Sequence, residues 1–516
     1  NAITGIAGAW LDSIPVLYIS GQVKRDNMIG SSGLRQLGVQ EVDAVNLVKS
    51  ITKYSVVVDD PNQIKFCLEK AVHLSKTGRP GPVLLDIPSD VQSSLIDEEK
   101  LVSYVPEVVS HDTLDIMKKQ VDELVKMIQN ANRPLLFVGH GVRLANGQDL
   151  LLEFVERLKI PVVTSMSAHD LIPTDNNLYI GRPGVFGDRA GNFAVNGCDL
   201  LISIGVRHHL WNIGYNYNAF AKSAKKVVVD IDELELRKKT LHPDLGILSG
   251  ARDFLVELSN KTQGFQWKDK NGWLDRCLTW KNRYPVVLPK YKEEKDFVNS
   301  YYFTDVLASL LKEGENIITG VGTSFTGTLQ CFKTKRGQRL ISNVGCAAMG
   351  YDLPAAIGAC FASGKKRVIL IVGDGSIMMN LQELQTIVHY NLPIKIFLLN
   401  NQGYLAIRNT QNSFFCGKLE ASGHSSGVSF PDFQKISLAF GVGYAKIDDH
   451  VNMEEKIEKV LDSDGPVLCE INMSPTQPLI PKVYSMKNAD GTMDSKPMED
   501  MYPFLERDEY ETNIIN

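Results

Sequence analysis

Residues 367–401 read RVILIVGDGSIMMNLQELQTIVHYNLPIKIFLLNN. The apolar run Val368 to Val372 ends at Gly373-Asp374-Gly375-Ser376. A short β-branched run closed by glycine suits a strand buried on both faces. A helical pattern follows from Asn380 to Tyr390, Pro393 breaks it, and a second buried strand over Ile394–Leu399 delivers Asn400-Asn401. Two strands joined by one helix lie parallel and usually side by side, so their C-terminal ends share one edge of a sheet. Asp374 sits just past one end and Asn401 just past the other. Parallel sheets bind ligands at that edge. A carboxylate, an amide oxygen and a nearby backbone carbonyl suit Mg²⁺, a hard cation that completes its octahedron with phosphate and water. The glycines permit close approach of the backbone, and the start of the following helix offers N–H groups to a phosphate. The stretch therefore reads as a metal–diphosphate site. Gly-Asp-Gly alone is also a common turn, and the Asn-Asn one helix and one strand later argues against two unrelated turns.

The same strand–helix alternation runs outward through the chain, which predicts an α/β protein with parallel sheets. The first block, residues 1–97, has strand-like runs at Val16–Ser20 and Val83–Ile87 and a helical pattern over Asn62–Ser75. Residues 93–113 read as a linker. The second block, 114–264, has strands expected at Leu135–Gly139, Val162–Thr164, Leu200–Gly205 and Val227–Asp232, with a helix over Asn146–Leu158. Gln266 to Lys295 reads as a connector. The third block, 299–475, adds strands at Ile317–Thr319, Arg367–Val372, Ile394–Asn400 and Pro466–Ile471. The tail, 476–516, shows little periodicity and is expected either to cover a pocket or to be mobile. A chain of 516 residues with 44% hydrophobic and 22% charged residues has room for about three domains.

The net charge of −5 gives no basic field for nucleic acid and no polybasic patch for a membrane. Eight scattered cysteines without a CxxC pair read as free thiols in a reducing, cytoplasmic setting. The chain opens on Asn1 directly into an apolar helix-like stretch, and is read as beginning part-way through a domain. The turn Gly139-His140-Gly141 could serve a nucleotide, but such a turn is more often only a tight strand-to-helix connection. No GxGxxG with a distal acidic residue is found, which argues against a Rossmann dehydrogenase. His208-His209 lacks further spaced ligands and reads as a packed or solvated pair.

GDGS followed by MNLQELQTIVHYNLPIKIFLLNN resembles the signature of thiamine-diphosphate enzymes, and nearly the whole chain is similar to their acetolactate synthase branch. The matching pieces include ITGIAGAWLDSIPVLYISGQV (3–23), SITKY (50–54), TGRPGPVLLDIPSDVQ (77–92), DLLISIGVR (199–207), VVVDID (227–232) and GCAAMGYDLPAAIGA (345–359). The resemblance implies three doubly wound parallel-sheet domains in the thiamine-diphosphate enzyme arrangement: pyrimidine-binding, central and diphosphate-binding. It implies Mg²⁺ on the Asp374 and Asn401 side chains and the Gly403 carbonyl. Gly373, Gly375 and Ser376, with Gly322, Thr323 and Ser324, would meet the diphosphate. Ala347, where the family usually has Gly, would turn its carbonyl to the aminopyrimidine. Met349 would support the bent cofactor, with core packing as the plain alternative. Tyr404 and Leu405 would line the cofactor, and Ala406, Arg408 and Thr410 the substrate side. Gln40, beside Glu41, is the candidate catalytic position of the first block, against the alternative of a solvated polar loop. The activating Glu of the family is expected upstream of Asn1. Sites of this family form between two chains, which implies a homodimer or homotetramer.

The implied reaction is decarboxylation of a 2-oxo acid, with pyruvate the first candidate, and transfer of the acyl carbanion to a carbonyl acceptor. Thr410 stands where acetolactate synthases carry a Trp, and NNQGYLAIRNTQ (400–411) looks more like relatives associated with surface polysaccharide synthesis. That leaves the acceptor open, with Arg408 either holding its anionic group or an ordinary surface arginine. Arg182-Pro183-Gly184 resembles a flavin loop, whereas Gly205-Val206-Arg207 and HHLWNIGYNYNAF lack the acidic pair of FAD-using synthases, so FAD stays an open expectation. Two other readings compete: a decarboxylase that releases the aldehyde without ligation, and a cofactor-binding assembly protein without catalysis.

Overall fold

A computed structural model describes residues 1–106, 112–488 and 490–515. They form two compact units, residues 1–114 with 344–346 and residues 115–343 with 347–516. The expected linker falls partly on 107–111, outside the described residues.

The first unit holds a parallel sheet of β1 (Leu17–Gln22), β2 (Tyr54–Val57) and β3 (Val83–Pro88) in the order β1-β3-β2. The apolar run Val83-Leu84-Leu85 takes the centre because both its faces are buried. Asp86 joins it there by accepting the Ser20 hydroxyl at 2.7 Å and the Gln22 amide at 2.9 Å. The predicted helix over 62–75 is Ile64–Lys76, and its Cys67 and Ala71, four apart on one face, pack against Val83 and Leu85.

The second unit holds two six-stranded sheets, each wholly parallel. One contains β4 (Pro134–Val138), β5 (Val162–Thr164), β6 (Tyr179–Gly181), β7 (Leu200–Ile204), β8 (Lys225–Asp230) and β9 (Leu245–Leu248), ordered β6-β5-β4-β7-β8-β9. The other contains β10 (Asn316–Thr319), β11 (Arg339–Ile341), β12 (Val368–Gly373), β13 (Ile394–Asn400), β14 (Gly443–Ile447) and β15 (Val467–Asn472), ordered β11-β10-β12-β13-β15-β14. Three parallel α/β sheets are thus present, as expected. The sequence runs anticipate the inner strands closely, and β5 and β13 to the residue.

The stretch expected to be one helix from Asn380 to Tyr390 begins as a 3-10 turn, Leu381–Glu383, and becomes α-helical only over Leu384–His389. The connector contains a packed helix, Trp273–Arg283, with Trp273 and Trp280 buried and the Trp273 indole donating to the Pro134 carbonyl at 2.9 Å. The tail is ordered along the second sheet's helices. Trp280 donates to Asn513 Oδ1 at 2.8 Å, Asn192 to the Met498 carbonyl at 2.8 Å, and Val483 N–H to the Val185 carbonyl at 2.8 Å. No helix among the described residues is long and apolar enough to cross a membrane.

Candidate active site

The C-terminal ends of β10, β12 and β13 lie side by side, because Thr319 is in register with Ile371 and Gly373 with Leu399. Three turns therefore meet at one edge: 320–324, 373–376 and 401–403.

Asp374 organises two of them. Its Oδ2 accepts the Asn401 N–H at 3.0 Å and the Gly403 N–H at 3.1 Å, while Oδ1 accepts the Gly375 N–H at 2.8 Å. The carboxylate is buried, and burial pushes its pKa up to about 6 against those same N–H groups, which favour the charge. The hydrogen bonds to this buried carboxylate come from backbone N–H groups, and a cation bound directly to it would add charge compensation. Among the described residues, no group of three or more His, Cys, Asp or Glu could hold a metal. An ion at this edge would instead take one carboxylate, the Asn401 amide oxygen and a backbone carbonyl, the hard donor set expected for Mg²⁺. The residues fit that ion.

Gly403 adopts φ +147, and a Cβ there would lie 2.3 Å from both the Ser422 carbonyl and Arg408 Nη1. Gly375 leaves room for the Tyr404 ring, 2.2 Å from where its Cβ would be. Leu405 is buried beneath. At β10 the chain turns through Gly322, φ +71, into the buried helix Thr323–Cys331, whose Ser324 hydroxyl donates to the Val321 carbonyl at 3.0 Å. Its first-turn N–H groups open on the same edge as Asp374.

Arg408 is not the surface arginine of the alternative reading. It is 8% exposed. Its Nε donates to the Pro475 carbonyl at 3.2 Å, Nη1 to Gln402 O at 3.2 Å and Ser422 O at 2.8 Å, and Nη2 to Asn401 O at 2.8 Å and Oδ1 at 2.9 Å. All five guanidinium N–H groups are engaged, so Arg408 clamps the Asn401 turn. Thr410 is exposed and its hydroxyl donates to the Ala406 carbonyl at 3.1 Å.

Ala347 has φ +49, the left-handed region that favours glycine, which accounts for the glycine usual there in the resembling family. Met349 is 38% exposed. Sequence reasoning passed over Asp352 and Asn380. Asp352 is fully buried and accepts the Ser376 hydroxyl, and Asn380 Nδ2 donates to the Gly350 carbonyl at 2.7 Å. The available signal was a carboxylate opening an apolar helix, DLPAAIGACFA.

In the first unit, Gln40 is exposed with φ +64. Glu41 staples its loop. It is buried, and its carboxylate accepts the N–H groups of Ile29 at 2.5 Å, Leu37 at 3.0 Å and Gly38 at 2.9 Å. Burial raises the pKa of this carboxyl, but the three N–H groups outweigh it and hold the carboxyl below its ordinary range.

Comparison with known proteins agrees with this edge. Residues 320–471 match the C-terminal TPP binding domain of thiamine pyrophosphate enzymes, and residues 121–258 match their central domain. The acetolactate synthase large subunit of Cyanidium caldarium is 34% identical over 493 residues, covering 94% of this chain and 81% of that protein. The probable acetolactate synthase large subunit of Methanocaldococcus jannaschii is 33% identical over 497 residues, covering 93% and 81%. Acetolactate synthase 2, chloroplastic, of Nicotiana tabacum is 32% identical over 497 residues, covering 94% and 72%. This chain is an acetolactate-synthase-like thiamine pyrophosphate enzyme.

For an acetolactate-synthase-like enzyme, flavin is the remaining question, and the residues do not fit it. The Arg182 guanidinium of the flavin-like loop is buried and donates to the carbonyls of Leu329 at 3.2 Å, Gln330 at 3.0 Å and Phe332. Gly184 is bonded through both N–H and C=O to the Asn192 amide. The Gly139 turn is pressed against β7, since a Cβ on Gly139 would lie 2.1 Å from the Gly205 carbonyl. An open depression of about 350 Å³ lies nearby, lined by Arg207, His208, His209, Glu235 and Lys238, and its Lys238 is bonded to Glu235 and the Arg207 carbonyl. His208 bonds Ser203 Oγ at 3.0 Å, and His209 Nδ1 accepts the Trp211 N–H at 3.2 Å. Burial lowers these two imidazoles to about 3 and about 4, so the pair is packed and neutral.

Proposed function

We propose that this chain binds thiamine diphosphate with Mg²⁺ at the β10–β12–β13 edge, decarboxylates a 2-oxo acid, pyruvate first, and transfers the acyl unit to a carbonyl acceptor. The observation that carries the reading is the convergence of the Asn401 and Gly403 N–H groups on Asp374 Oδ2, at 3.0 and 3.1 Å. That contact joins the two turns that would share the ion.

Asp374, Asn401 Oδ1 and the Gly403 carbonyl would hold Mg²⁺. Gly373, Gly375, Ser376, Gly322, Thr323 and Ser324 would face the diphosphate, and Ala347, Met349, Tyr404 and Leu405 the rings. Thiamine diphosphate, when bound, supplies the carbanion chemistry. The protein supplies posture: Met349 projects from a turn held left-handed at Ala347, and Arg408 fixes the ion-binding turn from behind. Gln40 is our candidate at the reacting centre, since a non-glycine residue at φ +64 is the kind of strain that functional sites retain. Ala406 and Thr410 would line the acceptor side. The exposed apolar side chains of the first unit, Ile19, Leu34, Leu37, Val39, Val42 and Leu47, support assembly as a homodimer or homotetramer. The eight unpaired cysteines support a reducing, cytoplasmic setting. The proposed division into domains at 1–97, 114–264 and 299–475, with the tail 476–516, is supported by the presence of one parallel sheet in each of the three blocks.

The test is calorimetry of thiamine diphosphate binding with and without Mg²⁺, followed by NMR of ¹³C-pyruvate turnover. Binding that needs Mg²⁺ and is lost in Asp374→Ala, with a carbon–carbon-coupled product, is expected. Acetaldehyde as the sole product would replace transfer by simple decarboxylation, and binding unaffected by Asp374→Ala would overturn the site.

A further inference from the structure

The strand-end turn after β12 is tied to a segment that sequence spacing does not connect to it. Gly350 N–H donates to Ser376 Oγ at 2.9 Å, and the Ser376 hydroxyl donates in turn to Asp352 Oδ2 at 2.7 Å. Asp352 Oδ1 accepts the Leu353 N–H at 3.1 Å. The Gly350 carbonyl is held from the same side by Asn380 Nδ2 at 2.7 Å. Both polar groups of Gly350 are therefore fixed by residues following β12. Gly350 itself has φ +83, and a Cβ on it would lie 2.7 Å from Met379 Cβ.

Asp352 is fully buried. A Cβ at Gly320 would lie 2.1 Å from its Oδ2, so the turn after β10 is glycine where the carboxylate enters. Such a group is costly to bury unless its bonds matter. Burial pushes its carboxyl up to about 6, opposed by the Ser376 hydroxyl and the Leu353 N–H. Ser376 has one hydroxyl proton. While Asp352 accepts it, Ser376 can offer a ligand only its backbone N–H, and its oxygen stays directed at Gly350.

We infer that Asp352 is a positioning residue: by taking the Ser376 hydroxyl proton it locks Ser376 onto Gly350, so that the diphosphate turn 373–376 and the Met349 support move as one piece. This rests on the reading above that 373–376 meets the diphosphate. The consequence is specific. A residue that merely stiffened the turn would affect a bare diphosphate and the whole cofactor equally. A residue that also places Met349 affects the whole cofactor more.

The experiment uses the full chain and saturating Mg²⁺. Calorimetry gives Kd for thiamine diphosphate and for inorganic diphosphate in wild type, Asp352→Ala, Asp352→Asn, Ser376→Ala and the Asp352→Ala/Ser376→Ala double variant. Loss of a hydrogen bond to a buried carboxylate should weaken thiamine diphosphate about tenfold or more in Asp352→Ala, and inorganic diphosphate distinctly less. The double variant should be no weaker than the worse single one. Asp352→Asn, whose amide oxygen can accept the same hydroxyl, should recover most of the affinity and serves as the folded control. Equal losses for both ligands, additive single variants, or unchanged binding in Asp352→Ala would overturn the inference. Absence of Mg²⁺-dependent binding in the wild type would instead overturn the proposed function.

Discussion

Replacing Arg408 discriminates between a clamp and a substrate contact. Its guanidinium bonds five oxygens, but they are not equal. Ser422 O also accepts the Tyr404 N–H at 2.9 Å and keeps that partner. Gln402 is exposed and Pro475 half-buried, so water can reach their carbonyls. Asn401 is buried, and its carbonyl and Oδ1 would both lose the Nη2 donor. At about 1–3 kcal/mol for each stranded buried acceptor, Arg408→Ala should destabilise by about 3 kcal/mol. Arg408→Lys has three donors on one point and cannot span the set, so a loss of about 2 kcal/mol is expected.

Urea unfolding at constant m-value measures that loss. The functional signature follows from position. Arg408 bonds the proposed Mg²⁺ ligand, and its charge lies near enough to Asp374 for the carboxylate to oppose the fall that burial imposes on its pKa. Arg408→Lys should therefore raise the Mg²⁺ concentration needed for cofactor binding about tenfold, roughly one lost charged hydrogen bond, while leaving KM for pyruvate unchanged at saturating cofactor. A variant within about 0.5 kcal/mol of wild type, which is the range of an ordinary surface substitution, but with a raised pyruvate KM would refute the clamp and return Arg408 to the substrate side.

Ala347→Gly should raise stability by about 0.5–1 kcal/mol in urea, because relief of a left-handed alanine outweighs the added freedom of the unfolded chain. Asp352 should make stability fall as pH rises. Its folded pKa of about 6 exceeds the unfolded carboxylate value, so the native state holds the extra proton across the window between them. Asp352→Asn does not titrate, and its stability relative to wild type should grow between pH 4 and 7 by up to about 3 kcal/mol, read from urea midpoints across that range. Trp280→Phe removes the donor to Asn513 and should cost about 1 kcal/mol, with faster proteolysis of the C-terminal residues as the local readout.

The inner strands of the three sheets were legible because burial on both faces forces an unbroken apolar run: Leu135–Val138, Val368–Val372 and Ile394–Leu399 announce themselves. The strands that sequence reading passed over, β2, β6, β9, β11 and β14, are all at sheet edges. There one side of the ladder is open and only part of the strand needs to be apolar, as in Gly443–Ile447, where Lys446 alternates outward. The site divides along the same line. Asp374, Asn401 and Gly403 sit on turns between buried strands, so their convergence follows from parallel pairing alone. Arg408, Glu41 and Asp352 do not, because each answers to partners that no local period reveals: Ser422 and Pro475 for Arg408, a curled loop for Glu41, Ser376 and Gly320 for Asp352. What the chain did display was limited: an arginine in the largely polar helix Leu405–Phe414 and an aspartate opening the apolar helix Asp352–Ala362, both of them buried. Such residues are tolerated only when every bond they can make is made. Arg408 satisfies this with four backbone oxygens and the Asn401 Oδ1, which accounts for its hold on the turn. Asp352 accepts the Leu353 N–H and the hydroxyl of Ser376, which could otherwise reach the diphosphate. Arg408 and Asp352 therefore act on the proposed cofactor site through other residues, and substitutions at either should be read first as changes in the posture of Asn401, Ser376 and Met349.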